Sequence, residues 1–233
     1  MTNENADILD HFDELAEEYD QFKEGIPNYR EMMEVIQEVF DQWDRAGGLR
    51  KVLELGTGTG QLGRALTDAY QPDLYRGLDG SEQMIQEAKT TFETYDGETR
   101  IELVQEEFSE WKPTQNYDLI YSSLAIHHLP NPEKYELFET IFEVLNSGGN
   151  FLLCDVVRRR QSLLNFYKTI KYHRLRQKGL SESEAEAHWE SHVPNRTLAS
   201  WENLYRWLEE IGFRGVDSVW RDMYRAIFIA GKP

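Results

Sequence analysis

A single cysteine, Cys154, excludes a disulfide within the chain, and its setting in Phe151-Leu-Leu-Cys-Asp155 reads as a buried strand where thiols are inert. Such usage suits a reducing cytoplasm. No stretch approaches the ~20 apolar residues of a membrane span. The opening Met1-Thr-Asn-Glu-Asn-Ala-Asp7 is polar and acidic, without the basic start and apolar core of an export signal. A cytoplasmic protein with no membrane partner is therefore expected. Basic residues are scarce, 25 against 42 acidic ones, for a formal charge of −17. Such a field repels nucleic acid at long range, so none is expected as a partner. Repeats and low-complexity tracts are absent, and no Cys/His/Asp spacing completes a metal site, so no metal is expected.

What is present is enough apolar matter for a core. Hydrophobic residues make up 40% and aromatics 12% of the 233 positions, which argues against disorder over any long span. One basic cluster interrupts the acidic background: Arg158-Arg-Arg160, then Lys168, Lys171, Arg174, Arg176 and Lys178. It reads chiefly as a solvated helix face, with a small acidic ligand as the alternative.

The chain is organised around Lys51-Val-Leu-Glu-Leu-Gly-Thr-Gly-Thr-Gly-Gln-Leu-Gly63, an apolar strand running through a glycine-rich turn into a helix. Gly56, Gly58 and Gly60 permit torsions and close approach that a β-carbon forbids. The helix from Gln61 offers its unpaired N–H groups to an anionic ligand group. About 20 residues on, Leu74-Tyr-Arg-Gly-Leu-Asp79 is a second strand ending in a carboxylate, placed to bind both hydroxyls of a ribose. Gly58-x-Gly60-x-x-Gly63 also fits a dinucleotide fingerprint, so NAD-like ligands and S-adenosylmethionine both remain open on this ground.

Two amphipathic helices precede this core: 7–23, and one beginning after Asn28 as N-cap with Met32, Met33, Ile36, Val39, Phe40 and Trp43 on a stripe. Strands and helices then alternate: strand 50–55, helix 61–70, strand 74–79, helix 81–94, strands 100–105 and 117–123, helix 132–146, strand 149–157. This predicts a parallel sheet covered on both faces. Leu145-Asn-Ser-Gly-Gly-Asn150 reads as a helix end closed by glycine. The strand from Tyr117 leads into a loop bearing His127 and His128, candidates by type and location for a general base. His192 and Tyr224 are candidates on the other side. Alternation stops at 158–196, a helical insertion placed to form a lid, and resumes with helix 198–211 and a hairpin over 214–221 and 223–231. Phe166, Tyr167, Tyr172, Trp189, Trp201, Tyr205 and Trp220 would line an aromatic pocket under that lid or simply fill the core.

The ordered set Glu54-Leu-Gly-Thr-Gly-Thr-Gly60, Asp79, Glu107-Phe108, Tyr117-Asp118 through His127-His128-Leu-Pro130, Asn146-Ser-Gly-Gly149, Gly212-Phe213 and the closing hairpin resembles the class I S-adenosylmethionine-dependent methyltransferases. The resemblance implies a Rossmann-like α/β fold in one domain, 1–233. Its seven-stranded sheet is mostly parallel with an antiparallel last strand, and 1–48 with 158–196 form the lid. It assigns Glu54 and the Gly56, Thr57 and Gly58 stretch to the methionine part of the cofactor, Asp79 and Gly80 to the ribose, and Met84 to the adenine face. Glu107 and the Phe108 N–H would read the adenine edge, with Ser123 and Leu124 beneath the sulfonium and methionine end. Tyr19-Asp20, Ile26-Pro-Asn-Tyr29 and Gly179-x-Ser-x-x-Glu184 resemble more narrowly the carboxy-S-adenosylmethionine synthase branch, which implies that Tyr19 and Tyr29 also lie at the cofactor. That branch carries a carboxylate-binding arginine where this chain reads Ala187-His-Trp189.

The expected activity is thus methyl transfer from S-adenosylmethionine to a small-molecule acceptor. Carboxyl transfer onto the cofactor and a non-catalytic cofactor-binding module are the alternatives. The exposed lid helices leave room for a homodimer.

Overall fold

A computed structural model describes residues 28–108, 110–190 and 197–233, together with Asp13 and Ile26. The expected helix over 7–23, with Tyr19, and His192 in the insertion lie outside the described residues. Helix α1 (Tyr29–Arg45) buries Met32, Ile36 and Phe40, a stripe at four-residue spacing. Asn28 does not cap it. That residue sits at φ 58° without a side-chain cap bond, and its amide donates instead to Asp222 Oδ2 at 3.2 Å.

The alternating core follows in chain order: β1 (Lys51–Leu55), α2 (Gln61–Tyr70), β2 (Leu74–Asp79), α3 (Glu82–Phe92), β3 (Arg100–Gln105), β4 (Tyr117–Ser123), α4 (Asn131–Val144) and β5 (Leu145–Val156). Helices α5 (Leu164–Gln177) and α6 (Glu182–Glu190) form the insertion, and α7 (Trp201–Ile211), β6 (Arg214–Asp222) and β7 (Arg225–Gly231) close the set. The seven strands make one sheet in the order β3-β2-β1-β4-β5-β7-β6. The first five pair in parallel, and β7 runs antiparallel to both β5 and β6. This is the expected Rossmann-like architecture.

Each face of the sheet carries its own core, as a sheet covered by helices on both sides requires. Leu53 and Leu55 of β1 pack with Phe138, Phe151, Phe213 and Phe228 under α4 and α7. Val52, the residue before Leu53, points the other way and joins Phe40, Leu66, Tyr75 and Leu152 under α1 and α2. Trp201, Tyr205 and Trp220 belong to these cores rather than to a pocket: Trp201 lies 4.5 Å from Phe228, ring centre to ring centre.

One boundary differs from the sequence reading. Leu145 to Asn150 is not a glycine-closed helix end; β5 starts at Leu145, directly after α4. The register on β4 jumps from Tyr117↔Leu145 to Leu119↔Asn150, so the extra residues bulge. The bulge is held from far along the chain, with Gly148 N–H donating to Lys232 O and Lys232 N–H to Gly149 O, each at 2.9 Å. Tertiary pairing thus overrides the local glycine signal.

In the insertion, Ser181 and Glu184 form a capping box at the start of α6: Glu184 Oε2 accepts the Ser181 N–H at 2.6 Å and Ser181 Oγ accepts the Glu184 N–H at 3.3 Å. An ion pair of 2.6 Å between Lys168 and Glu186 fastens α6 to α5. The basic cluster is not simply a solvated face. Arg158, Arg160, Arg176 and Lys178 are exposed, but Lys171 is fully buried and Arg159 and Arg174 are half-buried. Phe166 points outward.

Candidate active site

The glycine-rich turn lies at the carboxyl edge of the sheet and is tied down by its neighbours. Gly56 and Thr57 N–H groups donate to Leu78 O at 2.8 and 2.9 Å, joining the turn to β2. Asp79, at the end of β2, accepts Gly58 N–H on Oδ2 at 2.8 Å and Ser81 N–H on Oδ1 at 3.0 Å. Burial pushes this carboxyl above its ordinary range, and the Ser81 and Gly58 N–H groups pull it back. Asp79 therefore orients the turn it would share with a ligand.

Gly56 is where three loops meet. With φ 79°, a β-carbon there would lie 2.2 Å from Ala125 Cβ and 3.4 Å from Phe108 Cζ, so loops from β1, β3 and β4 converge on bare backbone. Glu106 N–H donates to Asp79 O at 2.9 Å, which sets Glu107 and Phe108, both half-buried, beside the β2 edge. Gln105 Nε2 reaches Gly80 O at 3.4 Å. Beyond β4, Ser123 is half-buried and Leu124 adopts a left-handed φ of 56°, a strained state for a branched side chain. It is held by its N–H donating to Cys154 O at 2.8 Å.

Other expected site residues lie below this surface. Glu54 and Thr57 are 2% and 5% exposed, and the Thr57 hydroxyl donates to Glu54 at 3.0 Å and sits 2.7 Å from the Tyr75 hydroxyl, which itself bonds Glu54. Burial and the Glu54 charge push the phenols of Tyr75 and Tyr121 well up, so both remain neutral donors. Glu54 supports the turn from beneath. Met84 is buried on α3, whose first turn is capped by Ser81 Oγ accepting the Met84 N–H at 3.0 Å. Asp13 also reaches this helix start, bonding the Ser81 hydroxyl and accepting Gln83 N–H at 3.3 Å. Tyr29 is half-buried at the start of α1.

The two histidines have different settings. His127 is 5% exposed, and its Nδ1 lies 2.5 Å from Asp155 Oδ1. His128 is half-buried, its ring 4.0 Å from that of His127 between centres. The loop carrying both is fastened by Lys134, whose ammonium donates to the carbonyls of His127 at 3.2 Å, Thr197 at 2.5 Å and Leu129. Burial lowers the Lys134 pKa to about 8, so it stays protonated at neutral pH. Lys134→Met is expected to lower stability by about 2 kcal/mol, because buried carbonyls lose a charged donor. Urea unfolding with an unchanged midpoint would refute this fastening role. No group of three or more His, Cys, Asp or Glu suited to a metal occurs among the described residues. Among them, too, no helix is long and apolar enough to cross a membrane.

Sequence reasoning missed Asp155, Lys134, Tyr75, Tyr121 and Asp13. Only Asp155 carried a signal, as an acid near the end of a buried strand.

With this geometry in hand, comparisons with known proteins place the chain. The methyltransferase domain family profile matches residues 19–218. An uncharacterized methyltransferase of Geobacillus thermodenitrificans is 31% identical over 173 residues, covering 73% of this chain and 75% of the relative. Among solved structures, a DhpI-SAM-HEP complex aligns with TM-score 0.66 at 22% identity, over 100% of this chain and 99% of the other. Magnesium protoporphyrin IX methyltransferase (ChlM) from Synechocystis with bound SAH aligns with TM-score 0.67 at 16% identity, over 98% and 100% of the two chains. The fold is that of these enzymes. By its sequence, the chain belongs to the methyltransferase domain family.

Proposed function

We propose that this methyltransferase transfers the methyl group of S-adenosylmethionine to a small-molecule acceptor held between the glycine turn and a lid made of the N-terminal segment and the insertion. The observation that carries this reading is Asp79, a half-buried strand-end carboxylate bonded to the Gly58 N–H of the turn. That placement suits ribose hydroxyls. The lack of a side chain at Gly56 lets the Ala125 and Phe108 loops close onto the turn beside that carboxylate. Two structural neighbours, the DhpI-SAM-HEP complex and ChlM with bound SAH, hold SAM or SAH, which supports the same cofactor here.

In this reading Gly56, Thr57 and Gly58 hold the methionine part, Asp79 and Gly80 the ribose, and Met84, Glu107 and Phe108 the adenine. Ser123 and the strained Leu124 lie under the reacting end, with Tyr29 closing over it. The cofactor supplies a methyl carbon already activated by a sulfonium charge. The protein's task is then positioning, worth several kcal/mol of barrier without a covalent step. Where the acceptor's nucleophile bears a proton, His127 takes it. Asp155 holds Nδ1 and so orients the imidazole with Nε2 as the accepting atom, and His128 stands second.

Calorimetric titration with S-adenosylmethionine, S-adenosylhomocysteine and NAD tests the reading. Micromolar binding of the first two and none of NAD is expected. Binding of NAD alone would overturn it.

A further inference from the structure

We propose that the inner face of the insertion is an oxyanion subsite and that the methyl acceptor is a small acid bearing a carboxylate or phosphate group. The acceptor part of this inference rests on the methyl-transfer reading above.

Three cations from three parts of the chain gather around two aromatic rings. The Arg159 guanidinium, just after β5, lies 4.4 Å from the Trp189 ring centre and 5.1 Å from that of Tyr224. Lys171 Nζ, on α5, is 5.9 Å from both rings, and the Arg225 guanidinium on β7 is 5.7 Å from Tyr224. Lys171 and Arg225 are 0% and 4% exposed. Against them stands Asp222, which accepts from Arg174 Nη1 at 2.6 Å and lies 3.6 Å from Arg225 Nη2. No carboxylate among the described residues is paired to Arg159.

The donors are also in excess. Among the described residues, Arg159 Nε and Nη1 and Arg225 Nε and Nη2 are buried without a hydrogen-bond partner. Buried guanidinium groups are ordinarily paired, and an orphaned charged donor is costly. The aromatic faces account for how the guanidinium planes are held, not for the N–H edges left over. An oxyanion would satisfy both the charge and the donors. Burying cations beside one another costs desolvation and mutual repulsion that folding alone does not repay.

The position suits an acceptor. Arg225 lies opposite Val156 at the carboxyl end of β5, and Val157 N–H donates to Tyr224 O at 2.7 Å. Leu124 is bonded to Cys154 of that same strand. The anionic end of an acceptor would thus be held one strand over from the loop assigned to the reacting methyl.

Burial, then Arg159, then Arg225 lower the Lys171 pKa to about 7. Among the described residues, the groups facing Lys171 include Arg159 from the β5 end, Tyr224 and Arg225 from the β6–β7 hairpin, and Trp189 from α6, with the Arg174–Asp222 pair beside Arg225. A bound anion favours the charged amine, so anion affinity is fully present below that value and declines as pH rises from about 6 to 9.

The test is thermal unfolding of the protein saturated with S-adenosylhomocysteine, titrated with inorganic phosphate or malonate up to about 10 mM, against chloride at matched ionic strength. A saturable rise of several °C with at least one anion is expected, weakening toward pH 9. Phosphate alone would mark a phosphate-bearing acceptor, and malonate alone a carboxylate. Arg159→Gln and, separately, Lys171→Gln should weaken the anion's apparent Kd at least ~10-fold while keeping S-adenosylhomocysteine binding. No saturable rise with either anion overturns the subsite, as does wild-type anion affinity in both variants. A variant that has lost its fold shows itself by losing S-adenosylhomocysteine, and the wild-type titration then decides alone. Wild-type protein that binds neither sulfonium nor thioether ligand instead sinks the methyl-transfer reading, with the anion titration still readable on ligand-free protein.

Discussion

Asp79→Ala is expected to abolish measurable binding of S-adenosylmethionine and S-adenosylhomocysteine, weakening both by about 10²–10⁴-fold, since two hydrogen bonds to a charged acceptor contribute about 1.5–3 kcal/mol each. Two effects combine. The ribose hydroxyls lose their acceptor, and the Gly58 and Ser81 N–H groups lose theirs, so the turn and the α3 start are no longer held to β2. Asp79→Asn separates these effects. Its amide oxygen still accepts from one N–H, and its affinity should fall between the wild type and the alanine variant. Calorimetry on all three proteins decides the matter: an Asp79→Ala affinity within threefold of wild type would mean that the ligand lies elsewhere.

The largest stability loss is expected at a position that touches no ligand. Gly63→Ala places a methyl group in α2 at 2.0 Å from Tyr75 Oη and 2.2 Å from its Cζ. Alanine improves helix propensity by about 1 kcal/mol, which is too little to compensate. Tyr75 cannot give way: it is 0% exposed, stacked on Phe92 at 5.4 Å, and its hydroxyl is bonded to Glu54 and Thr57. The net loss should be about 3 kcal/mol, or roughly 10 °C in Tm for a domain of this size. Tyr75→Phe should not rescue it, because the Cζ overlap remains. A Gly63→Ala protein melting at the wild-type temperature would show that α2 can shift off β2 freely.

The readable parts of the site are those whose determinants are neighbours in sequence. Gly56 to Gly60 and Asp79 announce themselves because a strand, a glycine turn and a strand-end acid are local patterns. The Ser181–Glu184 cap is legible for the same reason. His127 was recognisable by type, but its partner Asp155 lies 28 positions away and meets it only through the β4–β5 register. The basic run at 158–178 shows its sign but not its direction. Which members turn inward depends on Arg225 and Tyr224 arriving from the closing hairpin. For Glu54 the motif gives the position but not the surroundings: strand alternation sends its side chain among Tyr75, Tyr121 and Thr57, which are distant in sequence or unremarkable by type.

The place of β7 between β5 and β6 has a consequence for biosynthesis. Its residues Arg225–Gly231 emerge from the ribosome after every other strand, yet they occupy an interior position in the sheet. Until residue 231 is available, β5 has an open edge and β6 has nothing to pair with. Chain growth at about 5–20 residues per second leaves the earlier strands waiting with that edge unprotected, the condition under which sheet proteins aggregate. Closure of the sheet between β5 and β6 therefore comes after all the other described strands have been made, and the cluster around Arg225 assembles only with it.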